Sequence, residues 1–321
     1  MRNKTIDNLR GLSILAMMAI HANAYFLDNL LNYFFWNFFQ WAVPVFLFCS
    51  FFLTFSLKKE VKLRKRFFRL YRPYLVFLIF YFLLLFFFEK QKFNLSYFLA
   101  NIFLYGGIDY NWLVLLFLGF IFLTPLFFYL KKNKFLFYGF FLLSFFSSIF
   151  FIFYPPKSYR FFMFLPWILI VYFAYFFVQW KKSFWKIGAI IITSLFSFLI
   201  TFFLEKKIGH NLSQFANKYP PTLYHLSYGV FSTTILYQLS EINFFDILGF
   251  DRLLNFLSVN SYSLYFVHIL VMDVLTWTKV LGRLNNVLFF ILIFLFSSLI
   301  VYGYSKLSRW IFLLLKNKSK V

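Results

Sequence analysis

The chain has 321 residues, of which 62% are hydrophobic and 13% are charged, and its mean hydropathy is +0.77. Soluble globular domains hold about 45–50% apolar and about 25% charged residues, so this composition excludes an ordinary soluble protein. The formal net charge is +22. The distribution of that charge along the chain decides whether it indicates an acidic partner or a membrane orientation.

The apolar residues form runs of about 20, the length that a helix needs to cross about 30 Å of hydrocarbon. The segment 93–108 is apolar but shorter, and Gly106 and Gly107 interrupt it, which predicts a re-entrant or interfacial helix. The sequence therefore predicts an all-α integral membrane protein with about ten transmembrane helices. In chain order, the predicted spans are 9–28, 34–57, 73–88, 111–130, 135–154, 161–180, 185–204, 222–240, 257–278 and 285–314.

Lys and Arg residues in the connecting segments predict the orientation, because cytoplasmic loops carry an excess of them. With both termini cytoplasmic, the inner segments hold 23 and the outer segments hold 9 of the 32 Lys and Arg residues. The charge is then mostly an orientation signal with attraction to anionic lipids, so we expect the bilayer as a partner and no nucleic acid. No polar stretch is long enough for a second domain, so residues 1–321 are predicted to form one membrane domain with no fused soluble domain.

The first predicted span carries a line of ionisable residues. Arg10 lies at its cytoplasmic end and His21 follows eleven residues later, which is close to three turns and about 16 Å along the axis. Asp28 is predicted to continue this stripe to the outer end. Ionisable residues inside a span are costly, so the stripe indicates a polar cavity. The alternative is structural, with Arg10 reaching the interface and His21 hydrogen-bonded to a neighbouring helix.

The ninth span carries a second polar face. Ser261, Tyr265 and His268 follow i, i+4, i+7 spacing, which places a hydroxyl, a phenol and an imidazole on one side of a helix. Hydrogen bonds between helices are the structural alternative. His225 and His210 carry weaker signals, and we expect His210 to be solvated in an outer loop.

The inner loop 58–74 is more basic than orientation requires. Eight of its residues are Lys or Arg, and Arg66, Arg69 and Arg72 are three apart, which would group them on one side of a helix entering the third span. Such a cluster can bind lipid phosphates or the phosphates of a soluble cofactor.

Several short motifs in this order resemble the membrane acyltransferase-3 family, the bacterial O-acyltransferases that modify cell-surface polysaccharides and related sugars. Two of them are the R-x10-H pattern of Arg10 and His21, and the R-x-x-R pattern of Arg66 and Arg69, which continues to Tyr74. Further similar segments are 44–50, 111–113, 220–222 and 261–268. Phe51 replaces the family's usual Gly after the second-span Ser, and Arg72 replaces a common Pro.

The resemblance covers nearly the whole chain, and it implies a membrane-embedded O-acyltransferase of the bacterial cytoplasmic membrane. The acyl donor would be a cytoplasmic acyl-CoA, most often acetyl-CoA, and the acceptor a hydroxyl of a cell-surface or lipid-linked sugar, with no metal ion. Among the implied roles, His21 is the general base or the acyl acceptor, and Arg10 lies beside it in the catalytic group. The implied cofactor-binding residues are Arg66, Arg69 and Tyr74, and the implied substrate-binding residues are Trp112, Ser261, Tyr265 and His268.

Two other classes of protein remain as alternatives. A transporter or flippase of a lipid-linked sugar would use the polar faces of spans one and nine as a translocation path. Transporters commonly show inverted repeats and paired broken helices, and the sequence shows neither. A scaffolding membrane protein would leave the Arg10 and His21 stripe unexplained.

Overall fold

The computed structural model of the chain describes residues 3–56 and 62–318. Within those residues the chain forms fourteen α-helices and four short 3-10 helices, with no β-strand. The α-helices are α1 Lys4–Asn23, α2 Leu30–Phe38, α3 Ala42–Ser56, α4 Leu63–Phe88, α5 Leu95–Phe103, α6 Trp112–Leu130, α7 Lys134–Phe153, α8 Tyr159–Phe162, α9 Phe164–Trp180, α10 Phe184–Ile208, α11 Leu223–Glu241, α12 Phe244–Ile247, α13 Asp251–Trp277 and α14 Asn286–Lys318.

Eight helical segments of the described chain are long and apolar enough to cross a membrane, so the protein is an all-α integral membrane protein, as the sequence predicts. α1 and α11 fall outside that group, although they have 20 and 19 residues and are long enough at about 1.5 Å per residue. Both carry several polar side chains inside the bundle. All ten predicted segments are therefore helical, while their number as spans and the side of the termini stay predictions.

The bounds of the first span differ from the prediction of 9–28. α1 begins at Lys4, where the side chain of Asn3 caps it by accepting a hydrogen bond from the backbone N–H of Ile6. It ends at Asn23, so Asp28 lies beyond it in an exposed turn. The prediction that Asp28 continues the stripe of Arg10 and His21 is therefore wrong, because the helical periodicity stops five residues earlier.

The third span also begins earlier than the predicted residue 73. α4 starts at Leu63 and includes Pro73, so about its first three turns carry the basic residues from Arg64 to Arg72. Residues 58–61 of the basic loop, and the predicted end of the second span at residue 57, lie outside the described residues. The predicted re-entrant segment contains α5, whose nine residues measure about 14 Å and cannot cross a bilayer.

α1 lies at the centre of the bundle, packed against α13, α3, α14 and α11. α13 runs in the same direction, because Ser258 bonds to Asp7 near one end and His268 meets His21 near the other. The close approach of these two helices depends on Gly11, where a Cβ atom would lie 2.5 Å from the backbone oxygen of Leu254.

α11 runs in the opposite direction to α1. Asn8 donates to Ser240 over 3.0 Å, and Thr5 donates to Glu241 over 2.6 Å, so the last turn of α11 meets the first turns of α1. The first turn of α11 must then lie near the His21 end of α1. The bundle thus has an Arg10 end and a His21 end.

Candidate active site

A cavity of about 1120 Å³ opens among α1, α3, α4, α6 and α13. We call it the arginine cavity, because Arg10, Arg66 and Arg69 line it together with Lys62 and Lys65. Its other walls are apolar side chains and the hydroxyl groups of Ser50, Thr54, Thr124, Ser258, Ser261 and Tyr262. The stripe of Arg10 and His21 predicted a polar cavity, and Arg10 does line one, whereas its position in the same wall as the α4 cations is known only from the structure.

Some residues at the start of α4 line the arginine cavity, and others contact different parts of the protein. The guanidinium of Arg66 donates to the hydroxyl of Thr54 over 3.3 Å, which directs it into the cavity wall. Arg72 is not part of that wall and lies over the ring of Phe68, 5.0 Å from its centroid. Tyr74 is 0% exposed, and its hydroxyl donates to the backbone oxygen of Asn101 over 2.8 Å. Its side chain therefore packs inside the protein and does not line the cavity.

The imidazoles of His21 and His268 face each other at the far end of α1. His21 Nδ1 and His268 Nε2 are 2.7 Å apart, although the two residues are separated by 247 positions in the chain. Their ring planes differ by only 2°, so the two rings are nearly coplanar at the hydrogen bond. His268 is 0% exposed, whereas His21 has intermediate exposure.

The hydrogen bonds of His268 fix the tautomers of both neutral rings. His268 Nδ1 lies 2.8 Å from the backbone oxygen of Leu264, which can only accept, so Nδ1 carries the proton. His268 Nε2 is then an acceptor, and His21 Nδ1 must donate to it. The proton of a neutral His21 ring is thereby placed on Nδ1, and Nε2 keeps its lone pair. Within the described residues His21 Nε2 has no hydrogen-bond partner, and it is not among the buried unsatisfied atoms, so it faces open space.

Tyrosine and tryptophan side chains surround the histidine pair. The ring of Tyr110 lies 4.6 Å from the His21 ring, and Tyr265 donates to the backbone oxygen of Tyr110 over 2.6 Å. Trp112 is two residues further along, and its ring meets that of Tyr219 at 4.9 Å. Of the four weaker candidates, Ser261 lines the arginine cavity, whereas His268 and Tyr265 hold neighbouring groups in place.

A polar network holds the segment that carries Tyr110 and Trp112. The amide of Asn111 donates to Asn101 over 3.2 Å and to the backbone oxygen of Gly106 over 2.6 Å. Arg160 donates to the carbonyl oxygen of the Asn111 side chain over 2.6 Å. Both asparagines are buried. The short helix α5 and the turn after it therefore form a fixed support for the two aromatic residues.

Helical geometry connects the arginine cavity to the histidine pair. Ser261 lies in the cavity wall, and His268 is seven residues further along α13, or about 10 Å. Arg10 and His21 are eleven residues apart on α1, or about 16 Å. One face of each of these two adjacent helices thus leads from the cavity towards His21.

Sequence reasoning missed Lys218, which lies at the His21 end of the bundle in the segment between α10 and α11. Lys218 is 4% exposed, and its ammonium donates to Gln40 over 2.8 Å. Burial lowers the pKa of Lys218 to about 7. In the sequence this residue reads as one of nine outer Lys and Arg residues, and nothing in its neighbours marks it as buried.

The chain matches the family model described as an acyltransferase domain, of the acyltransferase-3 type, over residues 3–306. Searches of curated proteins and of solved structures gave no match. The family match covers nearly the whole chain, in agreement with the resemblance carried by the motifs around His21 and Arg66. The protein therefore belongs to the membrane acyltransferase-3 family and is a membrane acyltransferase.

Proposed function

We propose that the protein transfers an acyl group, acetyl in the first instance, from cytoplasmic acyl-CoA to a hydroxyl of a cell-surface or lipid-linked sugar. We place this activity in the cytoplasmic membrane of a bacterium. The observation that carries the proposal is the hydrogen-bonded pair of His21 and His268, which leaves His21 Nε2 free beyond a large cation-lined cavity.

The arginine cavity supports acyl-CoA as the acyl donor. Its volume of about 1120 Å³ exceeds the upper end of typical small-molecule pockets, which is about 1,000 Å³. Five cationic side chains line it, and guanidinium groups bind phosphates through charge-assisted, often bidentate hydrogen bonds. The nucleotide phosphates would bind Arg66 and Arg69, and the thioester arm would extend past Arg10 and Ser261 towards His21.

The free Nε2 of His21 supports the chemistry of acyl transfer. As a general base, it would take the proton of the acceptor hydroxyl while the oxygen attacks the thioester carbonyl and the C–S bond breaks. The proton would then pass from His21 to the departing thiolate. In the alternative route, Nε2 itself attacks the thioester carbonyl, the C–S bond breaks and the thiolate leaves. The acceptor hydroxyl then attacks the acyl group on Nε2, the C–N bond breaks, and the hydroxyl proton passes to the thiolate. Both routes need the same lone pair, and both are compatible with this geometry.

His268 would act as a positioning residue in either route. It holds the His21 ring in the required tautomer, the task that a carboxylate performs in a Ser-His-Asp triad. A neutral imidazole does this without adding negative charge, so His21 is not drawn into a permanent ion pair in the bundle.

The proposal is tested with membranes that contain the wild-type protein or His21→Ala. Each is given acetyl-CoA labelled in the acetyl group and a crude envelope fraction as the acceptor. The wild type should transfer label, and His21→Ala should lose about 10²- to 10⁴-fold in rate, the usual contribution of a general base. His210→Ala is the matched control, because His210 is a partly exposed loop histidine.

Equal transfer by the wild type and by His21→Ala would refute the role of His21. A wild type that consumes no thioester with any envelope acceptor would refute the acyl-CoA proposal as a whole. Expression of each variant in the membrane must match the wild type, which a tag on the chain can report.

A further inference from the structure

The buried ammonium of Lys218 lies among aromatic rings. Its Nζ atom is 5.5 Å from the ring centroid of Trp112, 5.6 Å from that of Phe215 and 5.0 Å from that of Tyr219. One of its three N–H groups donates to Gln40. The other two have no acceptor among the described residues.

No carboxylate of the described chain lies within salt-bridge distance of Lys218. An ammonium taken out of water without a counter-ion is strongly unfavourable, and cation–π contacts and one amide oxygen offset only part of the cost. A buried titratable group that its surroundings strongly perturb is a candidate for a functional site. An anion would supply the counter-ion that Lys218 lacks among the described residues.

Lys218 is held in place by the loop around it. The buried amide of Asn217 donates to Glu205 over 3.0 Å and to the backbone oxygens of Asn211 and Ser213. The carbonyl oxygen of the same side chain accepts from the Thr222 hydroxyl over 2.9 Å. These bonds close the turn between α10 and α11, so the position of Lys218 is set before any ligand arrives.

The site lies at the His21 end of the bundle, opposite the arginine cavity. Gln40 belongs to the short helix that follows α2, beyond the end of α1, and α11 begins at the same end. Trp112, whose ring centroid is 5.5 Å from Lys218 Nζ, is two residues from Tyr110, whose ring lies 4.6 Å from the His21 ring. A molecule held at Lys218 would therefore lie near the free Nε2 of His21 and away from the acyl donor.

The aromatic residues around Lys218 are open on one side. Phe215 is 42% exposed, and Tyr219 and Tyr159 have intermediate exposure. Tyr219 contacts Tyr159, Phe215 and Trp112 through ring centroids 4.9–5.3 Å apart. Ligand sites commonly combine aromatic walls with one or two polar groups that fix orientation, and this cluster has that composition.

We propose that Lys218 and its aromatic surround form the acceptor subsite and bind an anionic group of the acyl acceptor, either a carboxylate or a phosphate. The ammonium pairs with the anion through its two remaining N–H groups, and a hydroxyl of the same molecule lies at His21. The assignment to the acceptor rests on the proposed function, whereas the binding of an anion does not.

The test is a binding measurement on the purified full chain in detergent, without acyl-CoA. Thermal unfolding is followed with glucuronate, with glucose as its neutral counterpart, and with inorganic phosphate. Wild-type protein should be stabilised by glucuronate, by phosphate or by both, and not by glucose. Lys218→Met should weaken the binding of the stabilising anion by about tenfold or more, the usual effect of losing a hydrogen bond to a charged group.

Lys207→Met is the matched control, because Lys207 is an exposed lysine at the end of α10 near the same loop. It should bind the anions as the wild type does. Glucuronate binding without phosphate binding would identify a carboxylate as the partner, and the reverse would identify a phosphate.

Equal stabilisation by glucose and glucuronate, or no stabilisation by either anion, would overturn the proposal. The same conclusion follows if Lys218→Met lowers the unfolding temperature but binds the anions as the wild type does, since Lys218 would then serve the fold alone. His21→Ala should keep anion binding even though it loses transfer, so failure of this subsite and failure of the acyl-transfer proposal are distinguishable.

Discussion

The two ends of the bundle use positive charge in different ways. The arginine cavity is large, and its cations are partly exposed side chains at the start of α4 and on α1. The Lys218 site holds a single ammonium that is 4% exposed and enclosed by rings. Several hydrated cations can bind and release a highly charged soluble molecule, since each contact is individually weak. One desolvated cation instead discriminates strongly between an anion and a neutral group.

Within the described residues, the histidine pair makes no hydrogen bond to a charged side chain of either region. His21 makes its hydrogen bond to His268 and its ring contact to Tyr110, with no acidic side chain in either contact. The two proposals together assign the acyl donor to many contacts at one end of the bundle and the acceptor to a few contacts at the other. The following predictions test that division.

The largest effect is expected from removing the cations of the arginine cavity. Arg66→Ala combined with Arg69→Ala should raise the KM for acetyl-CoA by about 100-fold, because two charge-assisted phosphate contacts are lost. The measurement is initial rate against acetyl-CoA concentration at two ionic strengths, and the salt dependence should be smaller in the double variant. Arg72→Ala is the control, since Arg72 lies over Phe68 outside the cavity. An equal rise in KM for Arg72→Ala would contradict a specific phosphate site.

The positioning role of His268 predicts a smaller loss. His268→Ala should lower kcat by about 10- to 30-fold with little change in KM, because His21 is no longer held in its tautomer. His268→Gln keeps an oxygen that can accept from His21 Nδ1, so it should recover part of the rate. A purely structural role would instead give equal losses for the two variants, or losses that follow the amount of folded protein.

The contact of α1 with α13 can be disturbed without touching a charged group. Gly11→Val should destabilise the protein by about 1–3 kcal/mol, because its Cβ would fall 2.5 Å from the backbone oxygen of Leu254. Thermal unfolding in detergent measures the loss, and Gly188→Val serves as the control because nothing lies within 4 Å of a Cβ atom there. If both variants unfold at the same temperature, the two helices do not depend on this close approach.

A further effect is a dependence of stability on pH at Lys218. Its pKa is lowered from 10.5 to about 7 by burial, so between these values the unfolded chain binds a proton that the folded chain has lost. The stability of the folded state should therefore rise with pH from about 7 towards 10.5, by at most about 1.4 kcal/mol per pH unit. The measurement is the difference between wild type and Lys218→Met across this range. A difference that is flat with pH would show that Lys218 keeps an ordinary pKa.

The sequence by itself determined the membrane class, the approximate positions of the ten helices and the family. Hydrophobic runs follow from the thickness of the bilayer, and motifs such as Arg10 and His21 are read along one chain. The short segment around α5 was also predictable, because Gly106 and Gly107 interrupt an apolar run that is too short to cross. The helix ends were predicted less accurately, as Asp28 shows, because the turn at residues 24–29 does not interrupt the hydrophobic pattern of the sequence.

Only the tertiary structure decided which polar residues meet. His21 and His268 are 247 positions apart, and their hydrogen bond depends on how α1 and α13 pack. Helical spacing placed each histidine on a polar face but gave no information about which faces would be adjacent. Lys218 is the clearest case, because a loop lysine has the same sequence signature whether it is solvated or buried beneath aromatic rings. Burial is a property of the packed chain, and it sets the charge and the chemistry that such a residue can offer.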